Sequence, residues 1–191
     1  MKKSRLFSTR QLVFMALLVA IEVILSSYLS LKVNDTLRIS FETVPLALAA
    51  LWLGPVAGLV VTLVSDILST ALSYGLGSYF PPIVLGPMVF CLLCCLGKNR
   101  LFRCDLSRRR DKVGLIATVI LAGVVNNFVI GVVTTTWYQM IVIGKEGTFR
   151  TLAALNLAGR LTTKPLTIVA SALLVCLIYR HPVVDGQRKS P

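Results

Sequence analysis

The sequence predicts an all-α integral membrane protein of six transmembrane helices with both termini on the cytoplasmic side, and three observations carry this. Hydrophobic residues make up 55% of the chain and charged residues only 15%, with a mean hydropathy of +0.80. Soluble chains carry about a quarter charged residues. The apolar residues gather in runs that approach the roughly 20 residues a bilayer span requires, and the basic residues gather in the connections between those runs.

In chain order, the spans run from Gln11 to Leu31, Thr43 to Leu53, Val56 to Tyr74, Ile83 to Leu96, Val113 to Ile143 and Ala153 to Tyr179. The first follows Lys2, Lys3, Arg5 and Arg10, a basic start like that of a secretory signal. Glu22 interrupts its apolar region and further spans follow, so it reads as a retained helix. The second and third form a hairpin around Gly54-Pro55, a turn with no charge beside it. The second and fourth are short and flanked by proline, which predicts burial against other helices and not lipid on every side.

Orientation follows from Lys and Arg in short connections, which are retained in the cytoplasm. One side holds Lys2, Lys3, Arg5, Arg10, Lys98, Arg100, Arg103, Arg108, Arg109, Arg110, Lys112, Arg180, Arg188 and Lys189; the other holds Lys32, Arg38, Lys145 and Arg150. Both ends therefore lie inside, as an even number of spans requires. The division is a basic cytoplasmic tail over 1–9, a membrane domain over 10–181 and a second cytoplasmic tail over 182–191. The formal net charge of +12 is topology information, because a nucleic-acid binder needs its cations on a solvated face among accessible aromatics. Arg108-Arg109-Arg110 reads the same way.

Ionisable groups inside spans are costly and face a cavity or a partner. Glu22, Asp66, Arg160 and Lys164 are of this kind. Pairing of the acids with the bases across the bundle is one reading, and a binding site is the other. Arg160 and Lys164 are spaced i,i+4 and share a helix face near the outer end of the sixth span. Pro165 follows and releases the carbonyl of Leu161, which predicts a bend or unwound turn there. Paired cations beside a broken helix suit an anion, while snorkelling to headgroups is the plainer alternative. Asn126-Asn127 places two amides at bilayer depth, where each demands a partner. Adjacent positions point about 100° apart, so only one faces a site.

Arg38, Ser40 and Glu42 stand at the outer end of the hairpin, and Tyr74, Tyr79, Phe80, Trp137 and Tyr138 cluster near the outer ends of spans. These aromatics suit stacking on a flat ligand or an interfacial belt. Ala16 and Ala20 form a small-xxx-small pattern that lets another helix approach closely.

Several chemistries lack their parts. Cys91, Cys94 and Cys95 fall in an apolar run without His or carboxylate partners, so they read as packing residues and no metal site is expected. The single histidine, His181, lies beyond the last span, which excludes an intramembrane Ser-His pair. There is no G-x-x-x-x-G-K-[ST] loop for ATP. No similar halves suggest an alternating-access carrier. An intramembrane enzyme would rest on Glu22 and Asp66 alone, without a motif, so no catalytic residue and no cofactor is assigned. A structural or assembly partner, cross-linked by its buried charges, is the third class.

The chain resembles the folate-type substrate-binding S component of energy-coupling factor (ECF) vitamin transporters. The resemblance rests on MALLVAIEVILS in the first span, RISFETVPLALAALWLGPVAGLVVTLVSDILS across the second and third, GLGSYFPP before the fourth, and Arg160-Leu-Thr-Thr-Lys164-Pro165 in the sixth. Pro82 stands where that family usually has Gly. The resemblance implies capture of a vitamin from outside a bacterial cell membrane for ATP-driven uptake. It also implies partnership with a transmembrane scaffold protein, docked at Ala16 and Ala20, and with two cytoplasmic ATPases. A pterin's donor pair suits Glu22 or Asp66. The glutamate tail suits Arg38, Arg160 or Lys164, and the rings suit Tyr79, Phe80 and Trp137. The expected ligand set is thus Glu22, Arg38, Ser40, Asp66, Tyr79, Phe80, Asn126, Trp137, Arg160 and Lys164. Pantothenate, thiamine, riboflavin and queuosine-type ligands share the six-helix plan.

Overall fold

A short helix, α2 (Thr43–Leu53), is the axis of the bundle, and every residue from Val44 to Leu51 is buried. Ala47, Ala49 and Ala50 have no exposed surface. Lipid is as apolar as leucine, so helix association in a bilayer relies on close packing, and small side chains permit it. At 1.5 Å per residue α2 is about 16 Å long, roughly half the hydrocarbon thickness.

The computed structural model describes residues 8–27, 31–34, 37–39, 41–75, 80–100 and 109–179, and within these it leaves aside the side chains of 31–34, 37–39, 73, 74, 99, 100 and 109–111. Around α2 stand α1 (Thr9–Ser27), α3 (Pro55–Tyr74), α4 (Leu85–Arg100) and α7 (Phe149–Tyr179). A single-turn 3-10 segment, Pro81–Val84, leads into α4. The fifth sequence span is one long helical run made of α5 (Arg109–Val124), a π-helical turn over Val125–Ile130, and α6 (Gly131–Ile141). Five of these runs are long and apolar enough to cross a membrane, and Thr43–Leu53 is a shorter apolar helix. The outer surface agrees with lipid contact: Leu166, Leu155 and Ile141 are 75%, 69% and 68% exposed.

Gly54 makes the hairpin between α2 and α3. Its φ of 92° lies where L side chains are strained, and Pro55 opens α3 with a φ already suited to a first turn. The Lys98 ammonium donates to the carbonyl of Leu51, one of the orphan acceptors at the end of α2. The Gly54 turn and the C-terminal end of α4 therefore lie at one end of the bundle. The cysteines pack as expected. Cys91 Sγ lies 3.1 Å from Thr62 Oγ1, and Cys95 Sγ donates to Ala50 O at 3.2 Å.

The structure departs from the sequence reading in three places. The first helix ends at Ser27, and Leu31–Asn34 (β1) instead pairs antiparallel with Leu37–Ile39 (β2), Lys32 opposite Arg38. The alternation in Leu31-Lys32-Val33-Asn34 suits a strand. The fifth span contains the π turn. Finally, α7 runs unbroken through Pro165 and starts at Phe149, about 16 Å before Arg160. The predicted unwound corner is therefore absent, and Arg160 and Lys164 are recessed along α7. Nearby hydroxyls take up main-chain acceptors, with Thr167 Oγ1 donating to Lys164 O at 2.9 Å and Thr163 Oγ1 to Gly159 O at 3.4 Å.

Candidate functional site

Glu42 precedes α2 without using its side chain as a cap, and it lines an open cleft bounded also by α4, α5, the π turn and α7. From α7 come Lys164, Thr167, Ile168 and Ser171, an i, i+3, i+4, i+7 series on one helix face. Seven residues of helix give this wall a length of about 10 Å. Val119 and Gly123 of α5, Asn126 and Asn127 of the π turn and Phe90 of α4 complete the lining. The cleft is thus lined by a carboxylate, an ammonium and amides together with apolar side chains. Ser171, only 2% exposed, has no hydrogen-bond partner for its hydroxyl among the described residues.

Arg160 lies one turn along α7 from Lys164 and does not line the cleft. Its guanidinium reaches the neighbouring helix, where Nη1 donates to Asn127 O at 2.9 Å and Nη2 to Thr135 Oγ1 at 2.6 Å. Asn127 Nδ2 donates back to Gly123 O at 2.9 Å. Only one of the two asparagines thereby spends its amide on its own helix, and Asn126 is left against Gly86 of α4. Asp66 and Arg160 both lie within electrostatic range of Glu42.

Toward the N-terminal end of α7, a reciprocal amide pair fastens it to α6. Gln139 Nε2 donates to Asn156 Oδ1 at 3.3 Å, Asn156 Nδ2 donates to Gln139 Oε1 at 2.9 Å, and Asn156 Nδ2 also reaches Thr136 Oγ1 at 3.1 Å. Phe80 packs on Tyr138 with ring centroids 5.8 Å apart and planes at 58°.

This architecture can be set against known proteins. The model of the family "ECF transporter, substrate-specific component" matches residues 10–179. The chain belongs to this family. It is therefore the substrate-binding subunit of an ECF transporter, a multi-pass membrane protein with a small-molecule substrate and with scaffold and ATPase partners. The S component is similar in fold to a crystal structure of FolT bound with folic acid, with a TM-score of 0.66 and 20% identity over 87% of this chain and 93% of that one. It is also similar to the S component of a bacterial ECF transporter, with a TM-score of 0.61 and 21% identity over 95% of this chain and 98% of that one. A comparison with curated protein sequences finds no match.

Of the ten residues expected at the S component's site, Asn126 and Lys164 meet in the cleft. Glu22 is buried at 5% exposure in α1, and neither it nor Asp66 is among the cleft's lining residues. Trp137 is 48% exposed, and its neighbour Tyr138 is the residue that meets Phe80. Arg38 stands on β2, which packs against α7. Its side chain, together with Ser40 and Tyr79, lies outside what the structure describes. Ala16 and Ala20 are both exposed on α1.

Sequence reasoning placed Glu42 at the end of the hairpin without assigning it to the site, and it passed over Phe90, Thr167 and Ser171. The i+3 and i+7 spacing from Lys164 was the available signal for Thr167 and Ser171. Nothing local marks Phe90, which reads as one more apolar residue of a span.

Proposed function

We propose that this S component captures folate from the outer side of a bacterial plasma membrane, both of its termini being cytoplasmic, and hands it to its transporter for ATP-driven uptake. The observation that carries the reading is that Glu42 and Lys164 line one cleft together with Asn126, Phe90, Val119 and Ile168. A pterin ring presents an N–H beside an amino group, a donor pair that the Glu42 carboxylate accepts. Lys164 takes a carboxylate of the glutamate tail, and Asn126, Thr167 and Ser171 supply further hydrogen bonds. The fold likeness to a folic-acid-bound FolT supports the same reading. Glu42 here replaces Glu22 and Asp66 as the acid that reads the ring.

The cytoplasmic placement of the termini is supported by the distribution of Lys and Arg and by Lys98 standing at the same end as the uncharged Gly54 turn. Ala16 and Ala20, small and exposed one turn apart, suit close approach by a helix of the scaffold subunit. The test is to purify the full chain in detergent, identify any retained small molecule by mass spectrometry, and titrate folic acid against the fluorescence of Trp52 and Trp137. Retention of pantothenate, thiamine, riboflavin or a queuosine-type base that folic acid fails to displace would refute the folate assignment.

A further inference from the structure

The π turn has a clamp. In its i→i+5 geometry the Gly131 N–H bonds Asn126 O, so the backbone is wider here than in the α-helices on either side. π geometry is rare and occurs mostly as a single turn within an α-helix. Arg160 reaches this turn from α7. One nitrogen of its planar fork takes the Asn127 carbonyl within the turn at 2.9 Å, and another takes the Thr135 hydroxyl beyond it at 2.6 Å. The two acceptors are eight residues apart, so the fork bridges the turn to the helix that follows. Gly131 lies between them, and a Cβ there would run into Arg160 Nη1 and lie 2.9 Å from Asn126 O.

The residue next to the clamped carbonyl is Asn126, whose side chain meets Gly86 and which lines the cleft beside Asn127. We propose that Arg160 is a positioning residue: by clamping the π turn across Asn127 and Thr135 it sets Asn126 in the cleft, and it does not itself carry the ligand's anionic group. This rests on the reading of the cleft as the substrate site. The cation that lines that site is Lys164, whereas the Arg160 guanidinium is committed to the neighbouring helix.

A double-mutant cycle separates positioning from direct contact, because residues acting through one another are non-additive. The full chain in detergent is titrated with folic acid as the unaltered protein, Arg160→Ala, Asn126→Ala and the double variant. Each single change is expected to weaken binding by about tenfold, the scale of one good hydrogen bond to a charged or buried group. The double variant is expected to stay near that tenfold. Gly131→Ala, which keeps the arginine but displaces it, should reproduce the Arg160→Ala loss, and it serves if Arg160→Ala does not fold. Additive losses near a hundredfold, or Arg160→Ala binding like the unaltered chain, would overturn the proposal. So would an Arg160→Ala loss confined to folic acid with tail-less pterin spared. Failure of the unaltered chain to bind folic acid refutes the folate reading and this inference together, whereas additivity with intact wild-type binding refutes this inference alone.

Discussion

Replacing Lys164 by Met removes the charge and keeps most of the length of the side chain, so it isolates what the ammonium does. Lys164 lines the cleft together with Glu42, and Arg160 spends its guanidinium on Asn127 and Thr135. On the proposed reading, the ligand's carboxylate meets Lys164. A hydrogen bond to a charged group contributes about 1.5–3 kcal/mol net. Water reaches an open cleft, which favours the lower part of that range, about 1.5–2 kcal/mol. At 1.4 kcal/mol per factor of ten, folic acid should bind about 10- to 30-fold more weakly to the variant. Pterin, which lacks the glutamate, should bind both proteins within about twofold, and Lys164→Arg should recover most of the loss. The assay is fluorescence or calorimetric titration in detergent at two ionic strengths. Raising salt from about 0.05 to about 0.5 M should weaken folic acid on the unaltered chain and leave Lys164→Met nearly unchanged. Equal losses for folic acid and pterin, or a variant as salt-sensitive as its parent, would show that Lys164 does not hold the tail.

Other substitutions test the remaining parts of the reading. Glu42→Gln replaces an acceptor-only group by one that also donates, so pterin and folic acid should both lose about tenfold in affinity, while p-aminobenzoylglutamate should titrate as before. Asn156→Leu strands both polar atoms of Gln139 in a buried position. Unfolding in detergent should show a loss of about 1–3 kcal/mol, most of it restored by adding Gln139→Leu, since removing both partners is nearly neutral. Bulky replacements, Ala16→Trp with Ala20→Trp, should abolish uptake into cells or proteoliposomes while folic acid binding to the isolated subunit stays within about twofold. Loss of binding in that variant would remove α1's exposed face from consideration as the docking surface.

The sequence alone determined the solvent of this protein, and from that most of its helices. Apolar runs and basic connections are local properties, and in a bilayer every backbone group must be bonded within its own helix, so hydropathy reads directly as spans. The same logic marked Lys164 and Asn126, because a charge or amide at depth is costly wherever it sits. It marked Glu22 and Asp66 equally, and here composition could not choose. Which polar group meets which depends on where α2 begins and how α5, α6 and α7 cross, and these are packing outcomes of side chains far apart in sequence. Only the tertiary structure decided that Glu42, just ahead of the short helix Thr43–Leu53, lines the cleft with Lys164. It also decided that Val125–Ile130 widens into a π turn. Nothing in Val125-Asn126-Asn127-Phe128 distinguishes that turn from ordinary helix. It becomes visible only with the arginine that spans it, contributed by a helix more than 30 residues further along the chain.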